Sequence, residues 1–185
     1  RRCFYCDFAV IPLGNKVETL QGYGSKTVKE YLHFLYKEIL SIKHKSSLST
    51  IYVGGGTPSI LDPQQIKQLI DLFKENYGVD YGAEITMEVD PASFNLDDLH
   101  GFINAGINRF SLGVQSFNNQ ILKESGRRHL RKDAEKSCLW LNEVYRSGLI
   151  KSWSLDLIQN LPLSGLKEWE EDLKKTMTFS PPHIS

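Results

Sequence analysis

The chain has 185 residues with 22 acidic and 22 basic side chains, so its formal net charge is zero. A single domain of that length buries roughly 70% of the surface its unfolded chain exposes, enough for one sizeable core. The charge balance favours neither nucleic acid nor an anionic membrane surface as a partner, and no apolar run approaches the roughly 20 residues that a bilayer-spanning helix needs.

The first stretch, Arg1-Arg2-Cys3-Phe4-Tyr5-Cys6-Asp7-Phe8, holds two of the three cysteines. A Cys-x-x-Cys pair brings two thiolates within reach of one metal or cluster. Four readings compete. A structural zinc site needs a second Cys or His pair, which Cys138 and the scattered histidines do not supply. A thioredoxin-like redox pair wants one short βαβ unit rather than a long alternation. A Cys3–Cys6 disulfide is the plainest reading, though no other pairing exists and a reducing compartment is expected. The fourth is an iron–sulfur cluster with a further ligand upstream. The chain opens without Met inside this stretch, so sequence before Arg1 is expected.

Gly14 to Ser25 reads as a loop. From Thr27, Val28, Tyr31, Leu32, Leu35, Ile39 and Ile42 form one helical stripe. Thr50 to Val53 is a short strand, stopped by Gly54-Gly55-Gly56-Thr57-Pro58. Asp62 caps the next helix, with Pro63 at its first position and Gln65 completing a capping box. Ala83 to Val89 is a strand closed by Asp90-Pro91. Asn95 opens a helix that ends at Gly106. Arg109 to Val114 is a strand. A short helix before Arg127 and Arg128 and a longer one burying Ala134, Cys138, Leu141, Val144 and Tyr145 follow. Trp153, Leu155 and Leu157 mark a strand, and Leu166, Trp169 and Leu173 a helix capped by Gly165. Pro181 to Ser185 reads as another strand beginning, so the chain is expected to continue there too.

Strand and helix thus alternate, which argues for a parallel sheet with right-handed crossovers, either doubly wound or a β/α barrel. Ligands bind such folds at the carboxyl ends of the strands. Those ends carry Gly54 to Thr57, Glu88, Gln115 and Asp156, each about one strand–helix unit from the next, so they are expected to converge. Three glycines exceed what a turn requires and let a ligand approach the backbone closely. Glu88, if buried, needs a partner, a ligand amine or an arginine. Asp156 faces away from Leu155 and Leu157. Of Arg127 and Arg128, one is able to clamp a carboxylate. His33, His44, His100 and His129 read as surface or helix residues, and Cys138 as a core thiol.

Taken together, Cys3-Phe4-Tyr5-Cys6-Asp7-Phe8, Gly54-Gly55-Gly56-Thr57-Pro58, Glu88-Val89-Asp90-Pro91, Gly113-Val114-Gln115-Ser116-Phe117, and Asp156-Leu157-Ile158 with Leu161-Pro162 resemble the radical S-adenosylmethionine family. The likeness is to its branch of oxygen-independent coproporphyrinogen III oxidases and related heme chaperones, and it covers nearly the whole chain. It implies a partial (β/α) barrel, with residues 1–185 as the core domain of a longer protein. It also implies a [4Fe–4S] cluster held by a Cys-x3-Cys-x2-Cys motif. Cys3 and Cys6 match the second and third cysteines, and the first would lie four residues before Cys3. By the same likeness Tyr5, Gly55, Gly56, Thr57, Glu88, Gln115, Arg127 and Asp156 line S-adenosylmethionine. Arg127 suits its carboxylate, Glu88 its ammonium, and Gln115 or Asp156 its ribose hydroxyls. A reductase, flavodoxin or ferredoxin would supply electrons in the cytoplasm. The oxidases carry a cysteine two residues after the third ligand, where this chain has Phe8, and Gln159-Asn160 stands where a Gly precedes Leu-Pro. The Asp7-Phe8 pair resembles the heme chaperones, which bind heme and pass it to acceptor proteins. The alternative is oxidation of porphyrinogen propionates.

Overall fold

The computed structural model describes residues 3–9, 25–43 and 46–185. The loop expected from Gly14, apart from Ser25, and the reading of His44 lie outside the described residues. Apolar stripes at helical spacing alternate with short apolar strands along the chain. They give α1 (Lys26–Ser41), β1 (Leu48–Val53), a 3-10 turn (Pro58–Ile60), α2 (Pro63–Tyr77), β2 (Val79–Val89), α3 (Leu96–Ala105), β3 (Arg109–Gln115), α4 (Asn119–Glu124), α5 (Arg131–Arg146), β4 (Ser152–Leu157), α6 (Leu166–Phe179) and β5 (His183–Ile184). Among the described residues, no helix is long and apolar enough to cross a membrane.

The helix ends follow the local sequence. Asp62 and Gln65 form the expected capping box at α2, and Asn95 with Asp98 forms another at α3. Gly106 closes α3 at φ 110°, a left-handed position where a Cβ would be strained. Gly165 offers α6 no side-chain cap, and the Glu168 carboxylate reaches back 2.9 Å to its N–H instead. α1 buries Val28, Leu32 and Ile39, but Tyr31 and Ile42, expected on the same buried stripe, are exposed. It is tied to α2 by Asn76 and Tyr77, which donate to the Ile39 carbonyl at 2.8 and 2.6 Å.

The five strands are all parallel and lie in the order β1-β2-β3-β4-β5. Every crossover among these strands steps in the same direction, so right-handed connections place the crossover helices on one face of the sheet. That is the winding of a β/α barrel. A doubly wound sheet reverses its strand order and carries helices on both faces. The sheet is accordingly two-sided. Ile85, Met87, Phe110, Leu112, Trp153 and Leu155 point to the helices and are buried. Truncating a large member of this core costs about 3–5 kcal/mol. Cys138 lies fully buried on that side, a core thiol as expected, and burial pushes it up to about 12.

The opposite face takes the alternate residues. Register places Glu88 beside Ser111, Ser111 beside Ser154, and Gly113 beside Asp156. β2 starts earlier than the expected Ala83. Its Val79 pairs with Leu48 before a register irregularity in which Gly82 sits at φ 81°.

Candidate functional site at the carboxyl rim

The polar face becomes a site at the carboxyl ends of the strands. The Glu88 carboxylate accepts from the Tyr52 hydroxyl at 2.9 Å and from the Gly55 N–H at 3.0 Å. β1, β2 and the glycine loop are therefore joined through one side chain. The partner foreseen for Glu88 was a ligand amine or an arginine. A phenol and a backbone amide hold it here, because the parallel register sets Tyr52 diagonally across from it. Removal from water and the adjacent Glu88 push the Tyr52 hydroxyl up to about 12, so Tyr52 is a donor at neutral pH. A Cβ on Gly54 would come within 2.6 Å of the Tyr52 ring and 3.1 Å of the Glu88 carboxylate. Gly55 sits at φ 118°, and added Cβ atoms at Gly55 and Gly56 would meet nothing within 4 Å. The loop leaves open space above the rim. Thr57 follows, half-buried, its hydroxyl bonded to the Gly56 carbonyl at 2.7 Å.

Asp156 faces away from Leu155 and Leu157, as their alternation requires. It accepts from Ser111 at 2.6 Å and from Ser154 at 3.2 Å, and Ser154 in turn donates to Ser111 at 3.0 Å. Burial raises its carboxyl above the ordinary range, the two hydroxyls oppose that rise, and Glu88 adds to it. Gln115 ends β3 at φ 67°, at a register irregularity between Gly113 and Gln115. Such a bulge re-aims the side chain beyond it. The Gln115 amide lies over Gly113, where a Cβ would come within 2.9 Å of it.

Arg127 occupies the third corner. Its Nη2 contacts Asp90 at 2.8 Å and the Gly113 carbonyl at 2.5 Å. Nη1 reaches the Tyr5 hydroxyl at 3.3 Å and Cys3 Sγ at 4.0 Å, and Nε reaches His129 Nδ1 at 3.4 Å. Burial works against the guanidinium charge, and Asp90, Tyr5 and Cys3 outweigh it, holding the pKa above its ordinary value. His129 corrects an expectation. It is not a surface residue but 1% exposed, because the segment after α4 turns inward to carry Arg127 to the rim. Burial pushes its imidazole down to about 4. Tyr5 is raised to about 12, by desolvation first.

Cys3 and Cys6 share one turn, in which the Cys6 N–H donates to the Cys3 carbonyl at 3.3 Å. Neither is in a disulfide, and both are half-buried. The Phe4 N–H bonds the Ser125 carbonyl at 3.1 Å and fastens the turn to the end of α4. The donor set fits two corners of an iron–sulfur cluster. Among the described residues no group of three or more His, Cys, Asp or Glu is placed to hold a metal ion, and Cys138 is on the helix side of the sheet. The structure thus brings Cys3, Tyr5, Arg127 and Gln115 together at one end of the rim, and Gly55, Glu88 and Asp156 along it. Asp90, His129, Tyr52, Ser111 and Ser154 were missed as site residues. Asp90 lies just beyond the second strand end and within the family motif but carries no role in the sequence reading, and Tyr52, Ser111 and Ser154 need the strand register.

Residues 1–175 match the radical SAM superfamily. The heme chaperone HemW of Synechocystis sp. is 38% identical over 186 residues, covering 100% of this chain and 43% of that protein. HemW of Escherichia coli K12 is 33% identical, covering 100% of this chain and 46% of the relative. The structure of coproporphyrinogen III oxidase (HemN) from Escherichia coli, a radical SAM enzyme, superposes with a TM-score of 0.82 at 28% identity, over 100% of this chain and 41% of that one. The chain spans less than half the length of the relatives it matches.

Proposed function

This chain belongs to the radical SAM superfamily, and from that premise we propose that it is the cofactor-binding core of a heme chaperone. Residues 1–185 act as one core domain of a longer cytoplasmic protein. Cys3 and Cys6 take two corners of a [4Fe–4S] cluster, with the Arg127 guanidinium 4.0 Å from Cys3 Sγ. The open backbone at Gly55 and Gly56 and the Glu88 carboxylate suit the ammonium of S-adenosylmethionine. Arg127 Nη1 suits its carboxylate, Gln115 or Asp156 its ribose hydroxyls, and Tyr5 and Thr57 complete the lining. When bound, cluster and S-adenosylmethionine supply one-electron cleavage of a sulfonium bond, with electrons from a reductase, flavodoxin or ferredoxin.

The observation that carries the chaperone reading is Phe8. It stands where the resembling oxidases have a further cysteine, and it is 59% exposed, with Phe4 at 70% four residues earlier. A phenyl ring neither ligates nor moves protons or electrons. Two exposed rings beside the cofactor site are suited to stack on a flat macrocycle. The identity to curated heme chaperones over the whole chain supports the same reading. The rival reading is the oxidase, which HemN represents. The test uses full-length protein reconstituted anaerobically with iron and sulfide. Heme titration should give a saturable absorbance change. Incubation with coproporphyrinogen, S-adenosylmethionine and reductant should give no sustained protoporphyrin by chromatography. Product formed over several turnovers promotes the oxidase and ends the chaperone reading.

A further inference from the structure

Arg127 makes more contacts than a ligand clamp needs, and they come from four separate parts of the chain. Its Nη2 is used up by Asp90 and the Gly113 carbonyl. Its Nε is used by His129. Only Nη1 points away from the sheet, toward Tyr5 and Cys3, and those two contacts are long, at 3.3 and 4.0 Å. A guanidinium has five N–H donors in a rigid plane. With three fixed from behind, the direction of the remaining two is fixed as well.

The protonation of His129 follows from its partners. Val114 O, 3.0 Å from Nε2, can only accept, so Nε2 carries the hydrogen. Arg127 Nε can only donate, so Nδ1 must be bare. The imidazole is the neutral Nε2–H tautomer and faces the guanidinium with its lone pair. Asp90 Oδ2 lies 4.0 Å from the same Nδ1. A carboxylate and an imidazole lone pair thus grip one edge of the Arg127 plane, one from the turn after β2 and the other from the segment after α4.

We propose that Asp90 and His129 are positioning residues that aim Nη1 of Arg127 at the carboxylate of bound S-adenosylmethionine. This rests on the reading of the rim as that cofactor's site. Neither residue touches the ligand. Gly113 belongs to the device through its carbonyl, which accepts from Arg127 Nη2 at 2.5 Å.

The test compares two ligands on full-length, cluster-reconstituted protein by calorimetry: S-adenosylmethionine and its decarboxylated analogue, which lacks only the carboxylate. One charge-assisted contact implies a preference of about tenfold or more for the first in the wild type. Asp90→Asn keeps an oxygen acceptor and removes the charge. His129→Gln keeps a donor and an acceptor but not the rigid ring. Each should cut the preference at least about threefold, because an unaimed guanidinium loses part of that contact, while binding of the analogue stays within about twofold. A merely structural role would weaken both ligands together and leave the ratio unmoved, and that result overturns the proposal. If Asp90→Asn does not fold, His129→Gln decides it. A wild type that binds both ligands equally refutes the aiming alone. A wild type that binds neither refutes the reading of the rim on which it rests.

Discussion

Acid should destabilise this fold through His129, by an amount the structure sets. The imidazole is 1% exposed, and burial moves its pKa from 6.5 to about 4, with Asp90 opposing the shift and Arg127 adding to it. The folded value lies below the unfolded one. Between pH 6.5 and 4 the unfolded chain therefore binds more protons, and stability falls as pH falls through that window. A gap of about 2.5 pH units corresponds to about 3 kcal/mol when fully developed, and to about 2 kcal/mol at pH 5. Against a typical stability of about 5–15 kcal/mol that is a large share. Urea unfolding of wild type and His129→Gln at about pH 7.5 and 5, at constant ionic strength, isolates it. Every other titrating group is common to both chains and cancels in the difference. The lead of the wild type over the variant should shrink by about 2 kcal/mol at the lower pH. A lead independent of pH would mean that His129 is not held neutral, and the tautomer argument would fail with it.

Two further outcomes separate backbone from side-chain effects. Native chain treated with iodoacetamide should be labelled at the half-buried Cys3 and Cys6 and spared at the fully buried Cys138, until denaturant is added. Peptide mass mapping reads this directly, and native labelling of Cys138 would contradict its place in the core. Gly55→Ala forces a side chain to φ 118° and should cost about 1–2 kcal/mol in urea, whereas Gly56→Ala, with open space and no such φ, should cost little stability. Equal losses at the two positions would refute the backbone argument.

Much of the fold was legible because its signals are local. Asp62 with Gln65, Asn95 and Gly106 each announce a helix end through their own backbone. The alternation around Asp156 shows which way it faces before any neighbour is known. Asn160 stands where the resembling family has Gly, and its φ of 60° shows why. The chain needs a left-handed residue there, and Asn tolerates that conformation better than other non-glycine residues. Alternation alone did not choose between a barrel and a doubly wound sheet, because strand order is a property of the assembled sheet; the family resemblance chose the barrel, and the strand order agrees. The partners of Glu88 and Asp156 were hidden for the same reason. Tyr52 precedes Glu88 by a whole strand–helix unit, and only the register brings them together.

The ion pair at the rim is the least legible feature and the most informative. Arg127 and Asp90 have side chains only 12% and 19% exposed. Taking two charges out of water costs several kcal/mol per ion, and a buried pair often adds no stability over apolar side chains of equal volume. Stability alone therefore gives no reason to place one at the end of a sheet whose other face is packed with Phe110, Leu112 and Trp153. Geometry gives one. The pair joins the end of β2 to the segment after α4, and through Tyr5 and Cys3 it reaches the cysteine turn that Phe4 and Ser125 fasten from the other side. An apolar cluster would fill the same space without direction. A guanidinium held along one edge presents its remaining N–H groups at fixed angles, and the proposed site, a charged ligand beside a metal cluster, would need that fixed direction more than the stability forgone.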